Sequence, residues 1–231
     1  NLRKYEFRIL QAQINPHFLY NTLDTIIWKA EGNQKEQVVQ LVRALSTFFR
    51  VSLSRGEEWI SVRDEIDHVK SYLAIQSMRY RDILDYEIDV DEALLDEKML
   101  KFVLQPLVEN ALYHGIKNKR GGGTISVRGQ ALEDGTILFD IEDDGAGIES
   151  ERLAMLRREL KKVSDIRPVS EAGFGIRNVN SRLKLYYGPA YGLSLVSSHT
   201  SGTCMSERLP RRVQEKMVHA AVAPLEIKHF A

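Results

Sequence analysis

Glu109 and Asn110 are the only strongly polar side chains in an apolar helical segment that runs from Pro106 to Tyr113. A carboxylate and a carboxamide beside the buried face of a helix are costly unless a partner satisfies them. A Mg²⁺ ion that carries nucleotide phosphates would be such a partner, because Mg²⁺ takes hard oxygen ligands and keeps several waters. The alternative is a polar patch on an ordinary helix, and the segment alone gives the two interpretations equal weight.

A second cluster, Asp143-Asp144-Gly145-Ala146-Gly147, follows an apolar strand pattern. Taken alone, Asp-Gly after a strand indicates only a turn. Two glycines two residues apart also allow a flat ligand to approach the backbone closely. Asp143 could then accept a hydrogen bond from an exocyclic amine such as that of adenine.

Two further glycine motifs come later in the chain. Gly173-Phe174-Gly175-Ile176 opens a helical pattern, where unpaired backbone N–H groups and the helix dipole favour phosphate. Its spacing disfavours a Rossmann dinucleotide site, and the chain contains no P-loop motif. Gly202-Thr203 enters the last strand pattern and is a weak signal by itself. Each of these motifs is ambiguous alone, but their order and spacing along the chain form a more specific signal than any single motif.

The elements that must position these motifs follow from hydrophobic periodicity. Two amphipathic helical patterns, joined by a polar turn from Glu31 to Gln34, predict an antiparallel helical hairpin. Helical and alternating patterns then succeed one another and predict an α+β sandwich. After the hairpin we expect a helix opened by the capping box Ser61-x-x-Asp64, a strand at 84–90, a helix at 97–115, strands at 124–128 and 137–142, a polar segment at 149–172, a helix at 175–187, and strands at 193–198 and 203–209.

The hairpin has one apolar face on each helix and little within itself to bury them against. We therefore expect a second copy of the chain to complete a four-helix bundle across a dimer axis. The alternative is that the hairpin packs onto the rest of its own chain.

Composition places the chain among globular proteins, with 231 residues of which 43% are apolar and 28% charged. Lys plus Arg and Asp plus Glu both number 32, so no bulk positive field favours a nucleic-acid partner. One cysteine, Cys204, excludes an intramolecular disulfide and a multi-cysteine zinc site. No apolar run reaches the roughly 18 residues of a membrane span, and no signal peptide is visible. Because the chain begins with Asn inside a helical pattern, we expect a fragment whose N-terminal part is absent.

Together the motifs resemble those of the histidine-kinase branch of the GHKL ATPase superfamily, which includes gyrase, the large heat-shock chaperones and MutL. Glu109-Asn110 resembles the N box, Asp143-x-Gly145-x-Gly147 the first glycine box, Gly173-x-Gly175 the second, and Gly202-Thr203 the closing Gly-Thr. The resemblance implies a Bergerat-type ATP site in an α/β sandwich, with residues 149–172 as a mobile lid over the phosphates.

The same resemblance implies roles for individual residues. Asn110 would hold Mg²⁺, and Glu109 would act on the nucleotide through water. Asp143 and Thr203 would read adenine, while the residues of the glycine boxes would contact the rest of the nucleotide: Gly145, Gly147, Gly173, Phe174, Gly175 and Ile176. His114, Lys117 and Arg120 are candidate phosphate-side contacts, of which only His114 lies inside a motif.

The segment Asn15-Pro16-His17-Phe18 indicates which branch of the superfamily the chain resembles. Pro16 disfavours helical geometry at Asn15 and removes a backbone hydrogen bond, a cost that is odd for a plain bundle helix. An isolated His17 would be interpreted as a partly buried bundle residue. Residues 13–23 are, however, similar to the phosphoacceptor motif of LytS/YesM-like sensor histidine kinases, and the resemblance extends over residues 9–210.

This resemblance implies ATP-dependent autophosphorylation of His17, followed by transfer to an aspartate of a response-regulator partner. Neutral imidazole is a competent nucleophile near pH 7, so catalysis can rest on positioning and on charge neutralisation by Mg²⁺. Phe18 stands where many histidine kinases carry an acidic base, which leaves Glu109 and the carboxamide of Asn21 as candidate bases. The alternative function is an ATP-binding pseudokinase or scaffold that dimerises and relays no phosphate.

These expectations divide the chain into three parts. Residues 1–58 would form the dimerisation and phosphotransfer hairpin, 59–210 the ATP-binding catalytic domain, and 211–231 a tail of unknown role. The whole would be the cytoplasmic portion of a cell-membrane sensor, joined to the membrane only through the absent N-terminal region. His68, on an apparently polar helix face, is expected to be solvated.

Overall fold

A computed structural model describes residues 16–53, 58–161, 174–198 and 201–211. Within these ranges, a pair of antiparallel helices precedes a five-stranded sheet with helices packed against it. The elements are α1 (Pro16–Glu31), α2 (Lys35–Ser52), β1 (Trp59–Ser61), α3 (Val62–Arg79), β2 (Leu84–Val90), β3 (Lys98–Leu100), α4 (Gln105–Asn110), β4 (Gly123–Ala131), β5 (Thr136–Asp143), α5 (Ser150–Lys161), α6 (Phe174–Tyr187), β6 (Gly192–Ser198) and β7 (Gly202–Pro210). The expected α+β fold is confirmed.

The main sheet has the strand order β2-β4-β5-β7-β6. Strand β2 pairs with β4 in parallel, and the other neighbours pair antiparallel. Burial alternates along β4 and β5, so one face of the sheet forms the core and the other faces outward. Strands β1 and β3 form a separate antiparallel pair. The sheet brings the end of β5, at Asp143, beside the start of β7, at Thr203.

The predicted hairpin is confirmed from Pro16 onward, while residues 1–15 lie outside the described part of the chain. Its turn contains Asn33 in the left-handed region (φ 58°), a conformation that asparagine tolerates well. Helix α2 packs along α3, and Phe18 of α1 is buried against Phe48 and Tyr72, with ring centroids 4.9 and 5.4 Å apart. One side of the hairpin therefore packs onto its own chain, as the alternative interpretation expected.

The capping box at the start of α3 is also confirmed. The backbone N–H of Asp64 donates to Ser61 Oγ at 3.1 Å, which satisfies one of the unpaired donors of the first helical turn. The alternating pattern of residues 84–90 likewise folds as strand β2 with the bounds that the sequence predicts.

The helix predicted at 97–115 is wrong in its first half. Residues Lys98–Leu100 form strand β3, Phe102 is left-handed (φ 57°), and α4 begins only at Gln105. The cause is the fully buried carboxylate of Glu65 on α3, which accepts the successive backbone N–H groups of residues 102–104 at 2.9–3.0 Å. Because these N–H groups bond to Glu65, they are not available to bond the carbonyls of a preceding helical turn. The helix therefore does not extend back toward residue 97.

The structure also defines the position of Pro106 and part of the polar segment 149–172. Pro106 lies in the first turn of α4, where its missing N–H costs nothing, so it does not kink the helix. The polar segment at 149–172 is not irregular throughout, because Ser150–Lys161 forms α5 with Leu153 and Leu160 buried. Residues 162–172 lie outside the described part.

His68 is buried, which contradicts the expectation that it is solvated. Its Nε2 lies 2.9 Å from Ser52 Oγ, and its ring stacks on Phe48 with centroids 4.3 Å apart. Burial, with the nearby positive charge of Lys101, lowers the pKa of His68 to about 3, so the ring is neutral at physiological pH. A neutral histidine thus fastens the end of α2 to α3.

Across the four described ranges, every helix is too short or too polar to reach through a lipid bilayer.

We predict that Glu65→Gln lowers the free energy of unfolding by about 2 kcal/mol, because the carboxamide has one acceptor oxygen where three backbone donors need two. Urea denaturation would measure the change. Glu87→Gln, at an exposed position of β2, is the matched control and should change stability by less than about 0.5 kcal/mol. Equal stability of the two variants would show that Glu65 does not anchor the start of α4.

Candidate functional site

Asp143, the last residue of β5, lies at the centre of the candidate site and its side chain is buried. Its Oδ1 accepts the backbone N–H of Gly145 at 2.9 Å. Burial is the main cause that raises the pKa of Asp143 to about 6, against the lowering effect of the Gly145 bond. A hydrogen bond from the backbone of Thr203 lowers the pKa of this carboxyl as well. With both bonds an ionised carboxylate still retains acceptor capacity for a ligand, because it has about four lone-pair sites.

Two glycines enclose this carboxylate, and a third, from another motif, contacts the backbone of the same residue. A Cβ on Gly115 or Gly145 would lie closer than 3.0 Å to Asp143 Oδ1, and a Cβ on Gly202 would overlap the Asp143 carbonyl. The backbone N–H of Ala146 also donates to the Gly115 carbonyl at 3.3 Å. The end of the N-box segment, the first glycine box and the closing Gly-Thr therefore meet at contact distance around one residue, Asp143. Gly115 was outside the predicted site set.

The N box lies on α4, which continues into a π-helical turn at Ala111–Gly115. Such turns occur frequently at functional sites. Asn110 Nδ2 donates to the Pro106 carbonyl at 2.8 Å, and a Cβ on Gly175 would lie 2.9 Å from the same nitrogen. The second glycine box on α6 is thus in contact with the N box, and the amide orientation turns Asn110 Oδ1 away from the helix backbone.

Glu109 is half-buried beside Asn110 and accepts a hydrogen bond from Gln105 Nε2 at 2.9 Å. Burial raises the pKa of Glu109, although the bond from Gln105 lowers it. The raised pKa makes this carboxylate a stronger base than an exposed glutamate.

An aromatic cluster links the His17 segment to Glu109. His17 is exposed in the first turn of α1, while the next residue, Phe18, stacks on Tyr72 of α3. The pKa of Tyr72 is raised well above its usual value by burial first and then by the negative charge of Glu109 and the nearby Tyr113. Tyr72 thus lies between the His17 segment and the N box, a connection that sequence reasoning missed because α3 carries no motif.

The remaining predicted residues fall around this centre. Gly147 is left-handed (φ 69°), Phe174 begins α6, and Ile176 packs against the core. His114 is exposed one residue before Gly115, and Thr203 is buried opposite Asp143 across the sheet. Gly173 lies outside the described residues.

Two further anchors hold the first glycine box and were not predicted. The carboxylate of Asp144 accepts the backbone N–H of Thr124 at 2.9 Å and pairs with Lys119 at 3.3 Å. On the other side, the backbone N–H of Ile148 donates to Ser197 Oγ at 3.0 Å. Both anchors come from chain segments that carry no recognisable motif.

Comparison with known families identifies the class. Residues 5–84 match the histidine kinase family model, and residues 95–213 match the model for histidine kinase-, DNA gyrase B- and HSP90-like ATPases. The chain therefore belongs to the histidine kinases, and its second part is a GHKL-type ATPase domain, which implies that it binds ATP.

Two curated sensor histidine kinases and one solved structure are similar to this chain. Sensor histidine kinase BtsS of Escherichia coli strain K12 is 36% identical over 91% of this chain, and sensor histidine kinase YesM of Bacillus subtilis strain 168 is 31% identical over 91%. The chain spans 34% of the length of each. The histidine kinase domain of the Erythrobacter litoralis EL346 blue-light activated histidine kinase aligns with 92% of this chain and 94% of its own, at 16% identity and a TM-score of 0.46.

We predict that the affinity for ADP falls as the pH drops below about 6. The Asp143 carboxyl in the free protein titrates near 6, and an amine ligand needs the ionised acceptor, so binding favours the ionised form and lowers its pKa. Carbon-13 NMR titration of the Asp143 side chain, with and without ADP, measures both values. An identical midpoint in the two states would contradict this role.

The control for this titration is Asp143→Asn, which replaces one acceptor oxygen by a donor. At pH 7.5 it should weaken ADP binding about tenfold or more while the thermal midpoint stays unchanged. Unchanged affinity for ADP would show that a residue other than Asp143 contacts the base.

Proposed function

We propose that this chain is the kinase portion of a sensor histidine kinase in a two-component system. It transfers the γ-phosphoryl group of ATP to His17 and then passes it to an aspartate of a response regulator. The observation that carries the proposal is the convergence of three glycines on Asp143, with Gly115 and Gly145 at its carboxylate and Gly202 at its main-chain carbonyl. Gly175 lies in the same way against Asn110. We infer from these contacts that the four motifs, which are far apart in the sequence, line one nucleotide site.

We assign the base-binding role to Asp143 and Thr203, which are paired across β5 and β7 at the core of the site. Gly145 and Gly147 form the turn beside them and allow the nucleotide to approach the backbone. Gly173, Phe174, Gly175 and Ile176 would bind phosphates where α6 begins, because the first N–H groups of a helix have no partner within it. His114 would lie on the phosphate side of the N box.

We assign Mg²⁺ to Asn110. The bond from its Nδ2 to the Pro106 carbonyl leaves the carboxamide oxygen as the end available for a hard cation, which fits the ligand preference of Mg²⁺. Bound there, Mg²⁺ would neutralise charge on the β- and γ-phosphates. Glu109, one residue before, would orient a water between the protein and the nucleotide.

His17 is the nucleophile in this proposal. Its Nε2 forms a bond to the γ-phosphorus, the bond from that phosphorus to the β–γ bridging oxygen breaks, and ADP leaves. The ring releases its Nδ1 proton to a base. We assign that base to Glu109, because burial raises its pKa, whereas the carboxamide of Asn21 does not titrate near neutral pH. Phe18 holds the first turn of α1 against Tyr72 and so limits the directions in which His17 can face.

We further propose that the chain works as a homodimer. Large apolar side chains remain exposed on the hairpin at helical spacing: Tyr20, Leu23, Ile27 and Trp28 on α1, and Val39 and Val42 on α2. An apolar face of this kind is typical of a protein interface. A second hairpin would cover it and complete the four-helix bundle.

The relatives YesM and BtsS are sensor proteins of which this chain matches 34%. We therefore propose that it corresponds to their cytoplasmic kinase portion, with sensing and membrane attachment supplied by other segments. Within it, residues 1–58 would serve dimerisation and phosphotransfer, 59–210 catalysis, and 211–231 a role that no pattern specifies.

The phosphoacceptor is tested by incubating the protein with γ-labelled ATP and Mg²⁺. We expect acid-labile, alkali-stable label in the wild type, no label in His17→Gln, and unchanged ADP affinity in that variant. The matched control is the same substitution at His219, which should keep the label. Label retained in His17→Gln would overturn the assignment, and a wild type that binds ATP but takes no label would favour a pseudokinase.

The dimer is tested with Trp28→Glu, which places a charge on a side chain that is 65% exposed in the single chain. We expect sedimentation equilibrium to show a dimer for the wild type and a monomer for the variant, because burying an unpaired carboxylate in an apolar interface is costly. Glu31→Gln, an exposed position near the end of α1, is the control and should remain dimeric. A wild type that sediments as a monomer would refute the proposal.

A further inference from the structure

Ser197 on β6 connects the two ends of the base-binding region. Its Oγ accepts the backbone N–H of Ile148 at 3.0 Å and donates to the carbonyl of Gly202 at 2.8 Å. It also lies 2.9 Å from Thr203 Oγ1. One hydroxyl thus holds the exit of the first glycine box, the start of β7 and the side chain of Thr203.

The proton count at this hydroxyl determines the direction of the third bond. A serine hydroxyl has one proton and two acceptor lone pairs. The carbonyl of Gly202 can only accept, so the proton of Ser197 is used there. The N–H of Ile148 can only donate, so it takes one lone pair, and the second lone pair must accept the proton of Thr203.

We infer that Ser197 fixes Thr203 as a hydrogen-bond acceptor, so that Asp143 and Thr203 together select a base with an amino group and reject a base with a keto group. With its proton committed to Ser197, Thr203 Oγ1 offers only lone pairs to a ligand. The ionised Asp143 carboxylate, its neighbour across the strand pair, also only accepts. The inference rests on the proposed nucleotide site and adds the origin of its base selectivity.

The selectivity has a physical basis in repulsion as well as attraction. The exocyclic amine of adenine supplies two N–H donors to an all-acceptor surface. The keto oxygen of hypoxanthine or guanine would place a third acceptor against it. The adjacent N1–H of these bases can satisfy only one of the two protein acceptors, so buried groups stay unpaired, which costs more than a weak contact gains. If Thr203 kept a free hydroxyl proton, it could rotate and donate to a keto oxygen, and discrimination would weaken.

The test compares the affinities of ADP and inosine diphosphate, which differ at the amino or keto position and the adjacent ring nitrogen. Ser197→Ala frees the proton of Thr203, and we expect the ratio of the two affinities to fall about tenfold relative to wild type. Ser194→Ala, at an exposed position of the same strand, is the matched control and should keep the wild-type ratio.

A double-mutant cycle separates this role from general loosening of the site. Thr203→Val removes the acceptor, so adding Ser197→Ala to it should leave the affinity ratio unchanged, although Ser197→Ala alone lowers it. A further fall in the double variant, or an unchanged ratio in Ser197→Ala, would overturn the inference. A wild type that binds neither nucleotide would instead refute the proposed function, so the two failures are distinguishable.

Discussion

The enclosure of the Asp143 carboxylate by backbone is the constraint on which the rest of the structure depends. Gly115 and Gly145 approach it so closely that a methyl group on either would overlap Oδ1, and Gly202 is in contact with its carbonyl. No larger residue is compatible with that packing unless the strand end or the turn moves. A buried acceptor held in this way is pre-organised for a donor on a ligand, because little rearrangement precedes binding.

The surrounding elements keep this centre and the N box in a fixed relation. Glu65 holds the amides that precede α4, while Arg182 of α6 donates to the carbonyls of Lys101 and Phe102 at 2.9 and 3.4 Å. Residues 101–104 are therefore held by side chains from two helices, α3 and α6. Burial, and then the charge of Glu65, raises the pKa of the nearby Glu207 well above its usual value.

The sequence pattern predicted those elements that depend only on neighbouring residues. It failed where a side chain from a distant part of the chain determines where an element begins. The alternation in β2 and the capping box at Ser61 were sufficient because period and cap are properties of neighbouring residues. The start of α4 depends on Glu65, some forty residues earlier in the chain, and no window contains both. The close contacts at the site admit only glycine, so they leave a glycine pattern that can be recognised in the sequence. Ser197 leaves no such pattern, because a serine in a strand looks like any outward-facing polar residue.

The most direct measurement of the central claim is a nitrogen-15 NMR titration of the wild-type protein with ADP. We expect the backbone amides of Gly115, Gly145 and Gly202 to shift together with one dissociation constant. Those of the short helical turn Glu92–Leu94, which lies at the opposite end of β4 from Asp143, should stay in place. Shifts in only one of the three glycines, or three different dissociation constants, would contradict a single nucleotide site built around Asp143.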